Sequence, residues 1–168
     1  MRIFPSLAAL FLMTTAALAH GVSHDTLEVI HPNIPKPAAS AKSAAGYMAI
    51  ANSGAEADRL IAVETPFAKS AQVHTTETGA DGVARMIHLP DGVEIPAGDT
   101  VVLEPGGMHI MLMGLTGTLT EGDMVAATLV FEHAGPVAVE FMVDPAGGMD
   151  HSTMDHSATD AAGGHESH

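Results

Sequence analysis

The 168-residue chain has no cysteine and no tryptophan, a single tyrosine, and six lysines and arginines against twenty aspartates and glutamates. Each scarcity removes a class of function. Without thiols there is no disulfide framework, no cysteine-bound zinc and no thiolate nucleophile or redox couple. Aromatic residues make up 4% of the chain, too few for a platform that stacks sugars or bases. A formal charge of −14 leaves no electrostatic footprint for nucleic acid or for an anionic lipid surface. No long apolar run follows the first twenty residues, so membrane insertion is not expected. No Ser/His/Asp or Cys/His arrangement and no paired carboxylates mark a hydrolase, and the chain reads as a non-enzyme.

What is present begins with a targeting segment. Met1-Arg2 supplies a positive start, Ile3–Leu18 is apolar, and Ala17-Leu18-Ala19 is a small-residue cleavage site. Pro5 interrupts the apolar run, which is too short for a membrane span. Residues 1–19 are therefore expected to be a signal peptide, and the protein to be soluble, periplasmic and monomeric. Residues 20–144 are expected to form one domain. Cleavage would expose His20, whose free amine and imidazole together can chelate Cu(II) or Ni(II). Eleven methionines and eleven histidines stand out in a chain with no thiol. Thioethers remain usable as soft ligands where thiols would oxidise.

Short apolar or alternating runs recur with turn signals between them. Strands are predicted at Thr26–His31, Ala44–Ala51, Arg59–Glu64, Ala71–Thr76, Val83–His88, Thr100–Leu103, Met108–Leu115, Met124–Glu132 and Val137–Val143. Thr65–Lys69 reads as a single helical turn. About nine strands at spacings near ten residues predict an all-β fold, an antiparallel β-sandwich or Greek-key barrel. After Asp144 the composition shifts. Met-Asp-His-Ser occurs twice, at 149–152 and 154–157, and the chain ends Gly163-Gly-His-Glu-Ser-His168. Residues 145–168 have little to bury and are expected to be disordered. Met149, His151, Met154, His156, His165 and His168 are candidate metal ligands, as His-rich tracts of this kind suggest.

The stretch Glu104-Pro-Gly-Gly-Met-His-Ile-Met-Leu-Met-Gly-Leu115 holds a histidine and three methionines behind a turn signal. On a strand, His109 and Met111 share a face about 6.6 Å apart. They offer a nitrogen and a thioether to a soft metal ion, or else the strand is core with methionine filling gaps. Both readings stand on this stretch alone. His74 ends one predicted strand and Met86 lies on the return strand beyond the turn Gly79-Ala-Asp-Gly82. The hairpin is expected to bring His74 and Met86 across from each other. His88, Met108 and Met113 compete as ligands by spacing.

The chain resembles the periplasmic copper chaperone family PCuAC. The residues that carry the resemblance are Gly46-Tyr-Met-Ala-Ile-Ala-Asn52, Glu56-Ala-Asp-Arg-Leu60, His74, Asp81-Gly-Val-Ala-Arg-Met86, Glu94-Ile-Pro-Ala-Gly98 and Leu103–Leu115. Glu121-Gly-Asp123 and Val139-Glu-Phe141 extend it over nearly all of residues 25–144. The family pattern implies a cupredoxin-like or immunoglobulin-like fold and one Cu(I) on His74, Met86, His109 and Met111. It also implies delivery to a copper-accepting protein: the copper A site on cytochrome c oxidase subunit II, in assembly of the oxidase, or another chaperone. Met108 stands where the family commonly has an aromatic residue, and Thr75-Thr76 where it often has a methionine.

Donor chemistry agrees with that implication. Neutral thioethers and imidazoles suit Cu(I), whereas zinc favours cysteine, histidine or carboxylate. The Cys–His–Met set of a blue-copper electron carrier is impossible without cysteine. Two other functions remain open from sequence: copper buffering in resistance, and a copper redox enzyme built on His20.

Overall fold

The structure, a computed structural model, describes residues 21–146. The signal segment, His20 and the six tail ligand candidates lie outside the described residues. Among the described residues eleven strands follow one another: β1 (Gly21–His24), β2 (Leu27–Pro35), β3 (Ser43–Asn52), β4 (Asp58–Glu64), β5 (Ala68–Thr78), β6 (Ala84–His88), β7 (Val93–Ile95), β8 (Thr100–Leu103), β9 (His109–Leu115), β10 (Met124–Phe131) and β11 (Gly135–Asp144). They are hydrogen-bonded in the order β6-β5-β9-β3-β2-β11-β10-β4-β7, with β1 beside β2 and β8 beside β3. The expected all-β, cupredoxin-like architecture is what the chain adopts.

The sheet is not wholly antiparallel as expected. β11 runs parallel to β2, with Met142, Val143 and Asp144 against Asn33, Ile34 and Pro35. Alternating hydrophobicity reports which face a side chain takes, not the direction of the neighbouring strand. Thr65–Lys69 is no helical turn either, since β5 begins at Ala68 and extends from there. β2 continues through Pro32 because the β2–β3 ladder is irregular between Ile30 and Asn33, where His31 takes a φ of 49°, and it ends at Pro35. Proline is tolerated at such an interruption because no ladder donor is needed there.

The core forms on one face of each long strand. In β3 the side chains of Ala44, Met48, Ile50 and Asn52 alternate inward, and β10 and β11 do the same through Val125, Leu129, Phe131, Val139, Phe141 and Val143. Gly46 is required by close approach: a Cβ there would stand 3.1 Å from the Phe141 ring. Two buried polar residues tie the loops down. Asn52 donates to the carbonyls of Glu56 and Ile95 and accepts from the Gly54 amide. Asp58 accepts from the amides of Arg59, His133 and Ala134, which pins the β10–β11 turn to the start of β4. Burial alone would raise the Asp58 pKa. Its three amide donors outweigh that and hold it below the usual aspartate range.

Candidate metal centre

β5, β9 and β3 lie side by side near one edge of the sheet, with the β5–β6 hairpin as the edge itself. Directly paired residues in an antiparallel ladder share a face. Val73, Ile110 and Gly46 form one cross-strand row and point into the core. The residues between them must therefore point outward. That outer face presents Gln72 and His74 from β5, His109 and Met111 from β9, and Ala45 and Tyr47 from β3. Period-two alternation thus places the chemistry on one side of the strand and the hydrophobic anchor on the other.

His74 is the direct register partner of His109, and their ring centres are 5.8 Å apart. The Tyr47 ring lies 6.5 Å from that of His109 on its other side. Hydrogen bonds fix which ring nitrogen carries the proton. His109 Nδ1 lies 3.2 Å from the Gly107 carbonyl, which can only accept, so Nδ1 donates and Nε2 keeps its lone pair. His74 Nε2 lies 3.2 Å from Gln72 Oε1 and donates to it, which leaves the lone pair on Nδ1. Those two remaining nitrogens, His74 Nδ1 and His109 Nε2, are buried and have no hydrogen-bond partner. A buried polar atom left unpaired costs about 1–3 kcal/mol, so a pair of them side by side calls for an explanation. A metal ion that takes both lone pairs supplies one.

The turn before β9 holds the arrangement. Pro105-Gly106-Gly107 bends through a positive φ of 82° at Gly106, and the Gly107 amide donates to the Glu104 carbonyl. The Gly107 carbonyl accepts from both the Thr76 amide and His109 Nδ1, so one oxygen orients the imidazole and fastens the turn to β5. His74 has its pKa lowered, first by burial and then by the neighbouring His109 and His88. Its imidazole is therefore held neutral at pH 7, the form a metal needs.

Met111 is half-buried and stands opposite Gln72 on β5 and Ala45 on β3. Met86 does not face His74 as expected. The hairpin register pairs Met86 with Thr76, and His88 with His74. The turn signal correctly predicts the hairpin but not a register two residues longer. Met86 remains on the outer face, diagonal to His74, within reach of a long side chain. It is 63% exposed on the edge strand. Of the competing methionines, Met108 packs against the core. Met113 shares the outer face but lies opposite Ser43 and Ser70, a step beyond Met111 from the histidines. Among the described residues no group of three or more His, Asp or Glu is gathered so as to hold a metal ion. The soft donors on the same outer face as His74 and His109 are the thioethers of Met111 and Met86. The residues that sequence reasoning missed are Gln72 and Gly107, which orient the two rings. Gln72 stands two positions before His74, a spacing that places both on one face of a strand.

The LpqE-like family profile matches residues 27–143. A curated relative from Leifsonia xyli subsp. xyli (strain CTCB07), carrying the lipoprotein name Lxx21020, is 38% identical over 104 residues, which are 61% of this chain and 62% of that one. The chain thus spans less than two thirds of that relative. Lipoprotein names point to an exported envelope protein, although these 168 residues contain no cysteine to carry a lipid. The copper-bound PCuAC domain from PmoF2 superposes with a TM-score of 0.64 at 28% identity, covering 75% of this chain and 98% of that one. The Cu(I) form of DR1885 from Deinococcus radiodurans superposes with a TM-score of 0.57 at 29% identity, covering 76% and 83%. This chain belongs to the LpqE-like family of PCuAC-like domains.

Proposed function

We propose that this protein is a periplasmic metallochaperone that binds one Cu(I) through His74 Nδ1, His109 Nε2 and the thioethers of Met111 and Met86, and passes it to a copper-accepting protein. The observation that carries the reading is that the register partners His74 and His109 each leave one buried ring nitrogen without a partner, with thioethers on the same face. The copper-bound and Cu(I) states in which similar domains have been solved support the choice of metal.

The site is graded from inside to outside. His109 is buried, His74 and Met111 are half-buried, and Met86 is solvent-exposed. Four neutral donors leave the charge of Cu(I) uncompensated, so the ion is held without being trapped. A partner that offers its own ligands reaches the ion from the exposed side, where Met86 stands. The resemblance supplies the client, the copper A site on subunit II of cytochrome c oxidase. The tail candidates Met149, His151, Met154, His156, His165 and His168, and the amine and imidazole of His20, would take further copper as Cu(II).

Competition of the Cu(I)-loaded protein against a chromophoric chelator tests the site. His109→Ala and Met111→Ala should each weaken Cu(I) binding by about tenfold or more while circular dichroism stays unchanged. Wild-type affinity in either variant removes that residue from the set. Mixing the loaded protein with an apo oxidase copper domain under reducing conditions tests delivery. If copper stays in place, and a deletion strain keeps normal oxidase activity in copper-poor medium, buffering becomes the better account.

A further inference from the structure

Three imidazoles lie side by side across β6, β5 and β9, because His74 is the register partner of both His88 and His109. Exposure rises along the row: His109 is buried, His74 half-buried, and His88 lies on a strand exposed throughout. Two imidazoles that share a metal about 2.0 Å from each nitrogen have ring centres roughly 5 to 6.5 Å apart. The inner pair, His74 and His109, meets this at 5.8 Å, and the outer pair, His74 and His88, meets it equally at 5.5 Å. Nothing in the packing of the edge strand requires an imidazole at position 88. Its same-face diagonal neighbours on β5 are Gln72 and Thr76, which offer no carboxylate to pair with it.

We propose that His88 and His74 form an outer copper station through which the ion enters and leaves the inner site. The inference rests on the reading of His74 and His109 as inner ligands. His74 is the pivot. Its Nε2 proton is committed to Gln72, so it has the single lone pair on Nδ1 and serves one station at a time. Outward movement exchanges one bond for another: the copper bond to His109 Nε2 breaks as a bond to a His88 ring nitrogen forms. The oxidation state of copper does not change, and no proton leaves His74. Met86 stands two residues before His88 on the same face of β6, so a thioether can remain on the ion as it moves. β6 ends the sheet, and its outer edge is where a partner would take over the ion.

The test uses the full-length protein, loaded anaerobically with one equivalent of Cu(I), and its His88→Gln and His88→Phe variants. His88 is exposed, so neither substitution disturbs the core. Affinity is measured by equilibrium competition with bicinchoninate, and release by stopped-flow transfer to an excess of the same chelator. The expected result is affinity within about threefold of wild type and release slowed about tenfold or more in both variants. A wild-type release rate in either variant overturns the outer station. A tenfold loss of equilibrium affinity also overturns it, because His88 would then be an inner ligand. In the wild-type protein at half an equivalent of Cu(I), the His88 ring nitrogens should broaden in ¹⁵N spectra; sharp, unshifted signals count against the station. Failure of the wild type to bind Cu(I) would bring down the inner site as well, whereas binding with unaltered release removes the outer station alone.

Discussion

At the scale of single residues, the two imidazoles are set by their hydrogen bonds as much as by their position. Gln72 fixes the tautomer of His74 from two residues away. Such orienting partners typically contribute ten- to a hundredfold to metal affinity. Gln72→Leu should therefore lower Cu(I) affinity by about tenfold with the fold intact, as measured by chelator competition. Titration behaviour follows from the same burial. The pKa of His74 is lowered in the folded state, so below about 6.5, where the unfolded chain takes up the proton, folding loses stability. That loss develops as pH falls from 6.5 toward the lowered folded value, and is absent above 6.5. Urea unfolding of the apoprotein between about pH 5 and 7.5 should show it, with a flatter profile in His74→Gln. Asp58 acts in a lower window. Its lowered pKa contributes stability above the ordinary aspartate value, which disappears as acid protonates it in the folded state. The histidines and methionines stood out in a chain without cysteine, and the family resemblance singled out the four proposed as ligands from their competitors. Gln72 did not stand out, since a glutamine acquires a role only through what stands beside it.

At the scale of elements, strand β9 was the most legible part of the chain, because glycines bound an apolar run whose alternation agrees with its pairing. β1 and β7 went unseen. They have four and three residues, too few for a period to emerge, and β7 is held by pairing with β4 rather than by its own pattern. The β5–β6 hairpin was legible as a hairpin, but its register was not. Residues from Gly79 to Val83 form the turn, with the Gly79 amide on the Val83 carbonyl and the Gly82 amide on the Gly79 carbonyl. Their conformation, rather than their number, decides which residue faces His74. Asp58 governs the opposite end of the fold. Asp58→Ala strips the amides of His133 and Ala134 of their acceptors and should destabilise the domain by about 3 kcal/mol. Denaturant unfolding measures that loss, and Cu(I) affinity should not change. Gly46→Ala should cost about 1–3 kcal/mol, because the methyl group must displace the Phe141 ring or β3 itself. Since β3 flanks β9, that variant should also weaken Cu(I) binding, which separates it from Asp58→Ala in the same pair of assays.

At the scale of the whole molecule, the spacing of short strands and turn signals foretold the class of fold, and composition the absence of cysteine chemistry, but neither foretold the connectivity. Nothing local in Asn33 or Met142 reveals that they will lie beside each other. The tail can be separated from the domain by removing residues 145–168. The truncated protein should retain one Cu(I) at full affinity and lose the additional copper, as read by native mass spectrometry. Unchanged stoichiometry would assign the tail no metal.

The parallel pairing of β2 with β11 also sets an order of events. The Asn33 side-chain amide donates to Asp144 across 111 residues of chain. A chain exported from its N-terminus cannot make that contact until residue 144 has emerged. His74 and His109 belong to antiparallel neighbours much closer in sequence, and contacts of short sequence separation close sooner. The histidine pair can thus assemble on a partly emerged chain, before β11 docks beside β2. Pulse-labelled hydrogen exchange during refolding should find the β5 and β9 amides protected before those that join β2 to β11. Copper present during refolding should speed the earlier step and leave the later one unaltered.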